Sequence, residues 1–367
     1  MTIIRESAPP VTIFLRWPTA SPCERPKILQ PISQMLCRMN LPDSSQICFC
    51  KARVLRYVRA AILSAMPITL PPVSRRRFIS QSLAAACGGL LWENAASSSA
   101  DTPESEMWVL FSDTHIAADR AELSRGVTMS ANLEQCIKEA LALQSKPVGL
   151  ILSGDCAYQN GLEPDYETFA AITKPLREWA PVHLMMGNHD NRGTFGKVLG
   201  KDQTMPSPVE QRIAGLVKTP LANWFLLDSL IETNHTPGEV GHAQLEWLSK
   251  ELDAHADKPA IVVVHHNVVL EPSPTGLQDS PQLLEVLRPR KHVKACIFGH
   301  THVWEAKQDE SGLHLINLPP TAYVFKAGLP SGWVVANVSA KGLKLELNAI
   351  DKTHPQHGDK KDLAWRV

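Results

Sequence analysis

From residue 107 onward the chain alternates short apolar runs with amphipathic segments. MWVLFSD (107–113) reads as a buried strand, residues 130–144 carry helical apolar spacing, and VGLILSGD (148–155) reads as a second strand. A helix near 165–179 leads into VHLMMGNHD (182–190), a strand and turn. NWFLLDS (223–229), the helical HAQLEWLSKEL (242–252) and AIVVVHH (260–266) follow. A Pro-containing loop, a helix near 282–288 and KACIFGH (294–300) complete the series. Strands separated by helical segments predict α/β units with parallel pairing. Beyond residue 303, runs such as LHLINL and WVVANV read as antiparallel sheet.

Charge divides the chain. Residues 1–100 hold 12 Lys/Arg and 4 Asp/Glu, so of the 37 basic and 37 acidic side chains 25 and 33 lie beyond residue 100, a net of −8. All 14 histidines lie in that second part, with only Cys136, Cys156 and Cys296 of the eight cysteines. Three widely spaced cysteines suggest no disulfide framework. An acidic domain without a basic patch argues against nucleic acid as a partner.

The stretch VSRRRFISQSLAAACGGLLWENAASSSA accounts for the division. Ser74, Arg75, Arg76 and Phe78 read as a twin-arginine export signal, with an apolar segment over 79–92 and a small-residue cleavage site near Ala100. That segment is too short to span a bilayer, so no permanent membrane span is expected. Ala84 stands where a lipoprotein signal has Leu, which argues against a lipidated Cys87. Residues 1–65 lack sustained periodicity and are expected not to form a folded domain, translation starting at Met66. The expected organisation is therefore 66–100 as signal peptide, read by the twin-arginine translocase, and 101–367 as the folded domain, exported to the periplasm or beyond.

The carboxyl ends of the apolar runs carry the chemistry. The first ends in Asp113 and His115, the second in Asp155, the third in Asn188 and His189, the fourth in His265, the fifth in His300 and His302. In an open α/β sheet such ends line one edge, where ligands bind. Carboxylate and imidazole donors without thiolates suit Mn, Fe or Zn in an open catalytic site.

D-x-H, G-D, G-N-H-D, a strand-borne His and G-H-x-H, in this order over residues 107–325, resemble the calcineurin-like metallophosphoesterase superfamily. LDS (227–229) with GHAQLEWL (241–248) resembles its cyclic-nucleotide phosphodiesterase-like branch. The resemblance implies a β-sandwich of two mixed sheets flanked by helices, in α/β/β/α layers. It implies two metal ions, one held by Asp113, His115 and His302, the other by Asn188, His265 and His300, with Asp155 bridging. Such ions sit about 3.5–4 Å apart and clamp attacking and leaving oxygens. A bridging hydroxide, its pKa lowered towards about 7, would be the nucleophile. His189 would protonate the leaving oxygen, worth about 10²- to 10⁴-fold in rate; a third ligand to the second ion is its other reading.

Several positions leave alternatives. Many relatives carry G-D-x-x-D, whose second Asp orients the catalytic histidine, and GDCAY places Tyr158 there. Tyr158 is read as lying behind the ligands or against substrate, with a ligand role as the alternative. Asp190 is expected to brace its turn. Arg192 reads either as a fork for a phosphate oxygen or as an exposed turn residue. HHNV (265–268) replaces the common H-H-P-P, and the loop 267–280 is expected to border the pocket, with His266 packed behind it. Trp304, Tyr323 and Phe325 are read as core aromatics, walling the site being the alternative. The expected function is a phosphodiesterase acting on a small phosphoester; a phosphomonoesterase or a non-catalytic scaffold of the same fold are the competing readings.

Overall fold

The computed structural model describes residues 68–70 by their backbone, and residues 103–200, 207–271 and 273–367 in full. The twin-arginine stretch at 74–78, the apolar segment 79–92, Cys87, Ala100 and residues 1–65 lie outside the described residues. Within 66–100, the backbone of β1 (Ile68–Leu70) pairs antiparallel with β6 (Val182–Leu184).

Two sheets form from the apolar runs. The first has β1 and β6 followed by β5 (Gly149–Leu152) and β2 (Ser105–Phe111), with β13 (Gly332–Ser339), β14 (Gly342–Ala349) and β15 (Lys360–Ala364) beyond them. The second runs β11 (Glu305–Gln308), β12 (His314–Asn317), β10 (Val293–Phe298), β9 (Ala260–Val264), β8 (Asn223–Leu227), β7 (Gly215–Lys218). β3 (Leu123–Ser124) and β4 (Val127–Thr128) form a separate hairpin. The central pairs β2·β5, β5·β6, β8·β9 and β9·β10 are parallel. Their strands are buried on both faces, which is why they read as continuous apolar runs.

One face of each sheet packs on the other sheet. Trp108, Leu110 and Ile151 meet Trp224, Ile261, Val263 and Ile297 in one core cluster, and the rings of Trp108 and Trp224 lie 4.5 Å apart. The opposite faces take helices. Val109, Phe111, Leu150 and Leu152 join the buried side chains of α1 (Met129–Leu141), α2 (Glu163–Trp179) and α3 (Arg192–Leu199). Val262 and Cys296 join those of α4 (His242–Ala254) and α5 (Ser280–Leu287). The period-2 alternation within each strand thus splits its residues between two cores, and the layers are α/β/β/α as expected.

One expectation is corrected. LHLINL was expected in antiparallel sheet, but β12 runs parallel to β10, with only its hairpin partner β11 antiparallel. All four residues of β12 are buried, and such a run does not reveal its strand direction. β7 and the helix α3 were not expected.

Candidate metal centre

Six of the eight predicted donors and acid–base residues, His115, Asp155, Asn188, His189, His300 and His302, line one cavity of about 520 Å³. Asp113 and His265 stand behind it, fully buried. All eight lie on the turns that follow β2, β5, β6, β9 and β10.

These turns hold strained backbone. Asp113, His115, Asp155, His300 and His302 all have left-handed φ, between 47° and 68°. For residues with a side chain each such position costs on the order of 1 kcal/mol or more. A ladder fixes them: Asp113 N–H donates to Gly154 C=O (3.2 Å), His115 N–H to Asp155 C=O (2.9 Å) and Ala322 N–H to Asp113 C=O (3.0 Å). Two motif glycines allow the close approach. A Cβ at Gly187 would collide with Asp155 Oδ1, and one at Gly299 with Ser112 Oγ and Asp113 Oδ2.

Hydrogen bonds select the tautomers. His302 Nδ1–H donates to Tyr323 C=O (2.5 Å), His265 Nδ1–H to Ser153 C=O (3.0 Å) and His189 Nδ1–H to Gln159 C=O (2.9 Å). A carbonyl only accepts, so each ring presents an unprotonated Nε2 to the centre when neutral.

The donors converge as two sets that share no residue, while His115, Asp155 and His189 form a third that overlaps both. Asp113, His115 and His302 have ligand atoms within 4.8 Å of one another, and so do Asp155, His265 and His300. Asp155 Oδ2 stands between the sets, 3.3 Å from His265 Nε2 and 3.7 Å from His115 Nε2. Its Oδ1 accepts from His189 N–H at 2.8 Å. His115 and His302 bring their Nε2 atoms to 3.2 Å. Asp113 Oδ1 lies 3.3 Å from His302 Nε2, while both its oxygens accept from His300 N–H.

The charge pattern calls for cations. Burial raises the Asp113 carboxyl, but His302 and then His265 more than offset this and hold it below the usual carboxylate range. Burial also raises Asp155, and attraction to His265 outweighs it. Burial would lower His265, yet Asp155 pushes it up to about 9. Burial takes His115 down to about 3 and His300 to about 4, so both stay neutral and ready to donate a lone pair. Asn188 Oδ1 and His265 Nε2 are buried without a hydrogen-bond partner. Two buried carboxylates, the neutral imidazoles of His115 and His300, and the unpartnered Asn188 Oδ1 around one point fit a pair of hard or borderline metal ions.

Asp190, Arg192, Tyr158 and Trp304 fall outside the cavity lining. Asp190 braces two turns, its Oδ2 accepting from Gly187 N–H (2.8 Å) and Cys156 N–H (3.1 Å), its Oδ1 from Ala157 N–H (3.1 Å) and Tyr166 OH (2.9 Å). Arg192 has its fork on the buried Asp228, at 2.8 and 3.0 Å, and also donates to Leu230 C=O. It is neither a solvated turn residue nor part of the pocket. Tyr158 packs against the first core and is absent from the lining. Trp304 is buried between the sheets, donating to Asp359 Oδ2. Phe325, in contrast, is half exposed and lines the cavity, and Thr275 from the 267–280 loop does too. His266 is buried behind the centre, its Nδ1 2.8 Å from Ser229 Oγ.

Sequence reasoning missed several residues. Ser112 donates to Asp113 Oδ2, and Ser153 Oγ donates to Ser112 Oγ (2.7 Å); the Ser preceding each ligand turn was the available signal. Asn234, Thr236 and Thr301 in the lining had none. Gln244 had a signal but no mechanism. It donates to Asp228 C=O and Val240 C=O and accepts from Asp228 N–H, all at 2.8 Å, tying α4 to the end of β8.

Layered sheets carrying a two-set carboxylate and imidazole centre at their strand ends define a metallophosphoesterase. The chain belongs to the calcineurin-like phosphoesterase family, whose description matches residues 109–304. It is 32% identical over 269 residues to a probable cyclic nucleotide phosphodiesterase of Rhodococcus erythropolis, covering 70% of this chain and 84% of that protein. It is 27% identical over 233 residues to the 3′,5′-cyclic adenosine monophosphate phosphodiesterase CpdA of Pseudomonas aeruginosa, covering 62% of this chain and 80% of that protein. Its fold is similar to that of a dimetal phosphatase from Danio rerio, with TM-score 0.54 and 15% identity, covering 71% of this chain and 99% of the other.

Proposed function

We propose that this protein is an exported phosphodiesterase that hydrolyses a small phosphodiester, a 3′,5′-cyclic nucleotide being the leading candidate, with two Mn, Fe or Zn ions. The observation that carries the reading is Asp155 Oδ2 standing between the two donor sets, with His189 on the same cavity wall. Asp113, His115 and His302 would hold one ion, Asn188, His265 and His300 the other, and Asp155 both. Bound there, the pair supplies Lewis-acid charge at the phosphoryl oxygens and a water acidified towards neutrality.

The chain's own residues do the rest. Asp155 Oδ1 and the Gln159 carbonyl fix His189 from both sides, backbone and ring. That leaves His189 Nε2 facing the cavity, where the doubly protonated ring would deliver its Nε2 proton to the leaving oxygen while keeping the Nδ1–H bond to Gln159. Asp190 holds the turns of Asp155 and His189 at a constant separation. Restriction to diesters is supported by the names of the relatives and by the resemblance of the 241–248 segment to the cyclic-nucleotide branch.

Export rests on the twin-arginine stretch at 74–78. Among the described residues no helix is long and apolar enough to cross a membrane. N-terminal sequencing of the protein recovered from the periplasm tests this part; a mature start near residue 101 is expected, and a start within 1–65 would sink it. The catalytic part is tested by turnover of cyclic AMP by the Mn²⁺-loaded protein and by its metal-ligand variants.

A further inference from the structure

Beyond the metal centre, one lining residue of the cavity and a hairpin that packs on it have no part in the proposed chemistry. The loop between β12 and β13 brings Phe325 into the lining, the residue 51% exposed and its ring stacked on His302 at 4.0 Å and 22°. The tip of the β3–β4 hairpin lays Arg125 over it, the guanidinium carbon 4.9 Å from the Phe325 ring centre and 5.6 Å from that of Tyr323.

Arg125 is placed there at a cost. Ser124 pairs with Val127, so Arg125 and Gly126 are the two residues of a tight hairpin turn, with φ 50° and 83°. That turn favours Asn-Gly, and an arginine at its first position is disfavoured. Its guanidinium has no ion-pair or hydrogen-bond partner among the described residues and rests on the two aromatic faces. No lysine or arginine is among the residues lining the cavity. An unpaired guanidinium stacked on an exposed ring beside a phosphoester centre is the chemistry that sandwiches a planar heterocycle. Solvent surrounds the tip, since a Cβ on Gly126 would meet nothing within 4 Å, so the arginine has room to lift.

We infer that Phe325 and Arg125 form a subsite for the nucleobase of the substrate, the base lying on Phe325 beneath the guanidinium. This deepens the phosphodiesterase reading and rests on it for the phosphate end of the ligand. It does not depend on which ester bond is cut.

The test is calorimetric titration of the full-chain Mn²⁺-loaded protein with AMP and with ribose 5-phosphate, which lacks the base. Stacking of one base on an aromatic ring predicts about a tenfold preference for AMP. Phe325→Leu, which keeps an apolar side chain, should bring that preference close to parity, and Arg125→Ala should reduce it several-fold. Both positions are exposed, and metal content measured alongside shows whether His302 still holds its ion. Equal affinity of the wild type for the two ligands overturns the inference, as does an unchanged preference in Phe325→Leu. Release of phosphate from AMP would overturn the diester reading instead, and the preference would then be read from the half-saturation values for the two monoesters.

Discussion

His189 Nδ1–H donates to the main-chain carbonyl of Gln159 at 2.9 Å, and Gln159 holds a left-handed φ of 52° to offer it. In relatives with G-D-x-x-D a carboxylate orients this histidine; here Tyr158 stands at that position and the carbonyl of the next residue takes over. The ring is positioned without a second buried anion. His189→Ala should therefore leave bound metal unchanged and lower kcat by about 10²- to 10⁴-fold. Elemental analysis beside steady-state kinetics checks this; loss of metal in the variant would make His189 a ligand.

Asp155→Ala and His302→Ala should lose metal and turnover together. Asp155 Oδ2 serves both donor sets, so its removal should lower the occupancy of both ions. His302 belongs to the set of Asp113 and His115, and its removal should strip that ion first. Metal-to-protein ratios after desalting separate the two patterns.

Arg192 and Asp228 form a fork pair in which the carboxylate is fully buried and the guanidinium 28% exposed. Asp228 also accepts from Ile213 N–H and Leu230 N–H, so it would stay buried and partly satisfied without the arginine. Arg192→Ala should lower the unfolding free energy by about 2 kcal/mol, with KM for the diester unchanged. A raised KM with unaltered stability would put the guanidinium on the substrate after all.

His183, in β6, is buried beside Trp108, and burial lowers its pKa to about 4. Its ordinary value is 6.5, so between pH 6.5 and 4 the unfolded chain binds the proton that the folded chain refuses. Stability from this residue is then present above pH 6.5 and lost as pH falls towards 4, by up to roughly 3 kcal/mol. Denaturant unfolding of wild type and His183→Gln across that range should show the wild type losing ground to the variant on acidification. Parallel curves would contradict it.

Much of the centre was legible because parallel strands display donors at one edge. A reader of Asp113, Asp155, Asn188, His265 and His300 at the ends of apolar runs needs only the sheet to bring them together. What the sequence hid was carried by main chain and by geometry. The Gln159 carbonyl belongs to no side chain, and Arg192 looked available until Asp228, 36 residues on, took its fork. Phe325 and Trp304 are both aromatics near strand ends, and the exposure that separates them is encoded by no local pattern. The direction of β12 was hidden likewise, because a short strand buried on both faces reads the same in either sense.

The most direct measurement compares turnover of bis-p-nitrophenyl phosphate and cyclic AMP with that of p-nitrophenyl phosphate by the protein reconstituted with Mn²⁺, its metal content determined in the same sample. Two ions per chain and faster cleavage of the diesters are the expected result. Two ions with faster monoester cleavage, or with no cleavage of any of the three, would contradict the account.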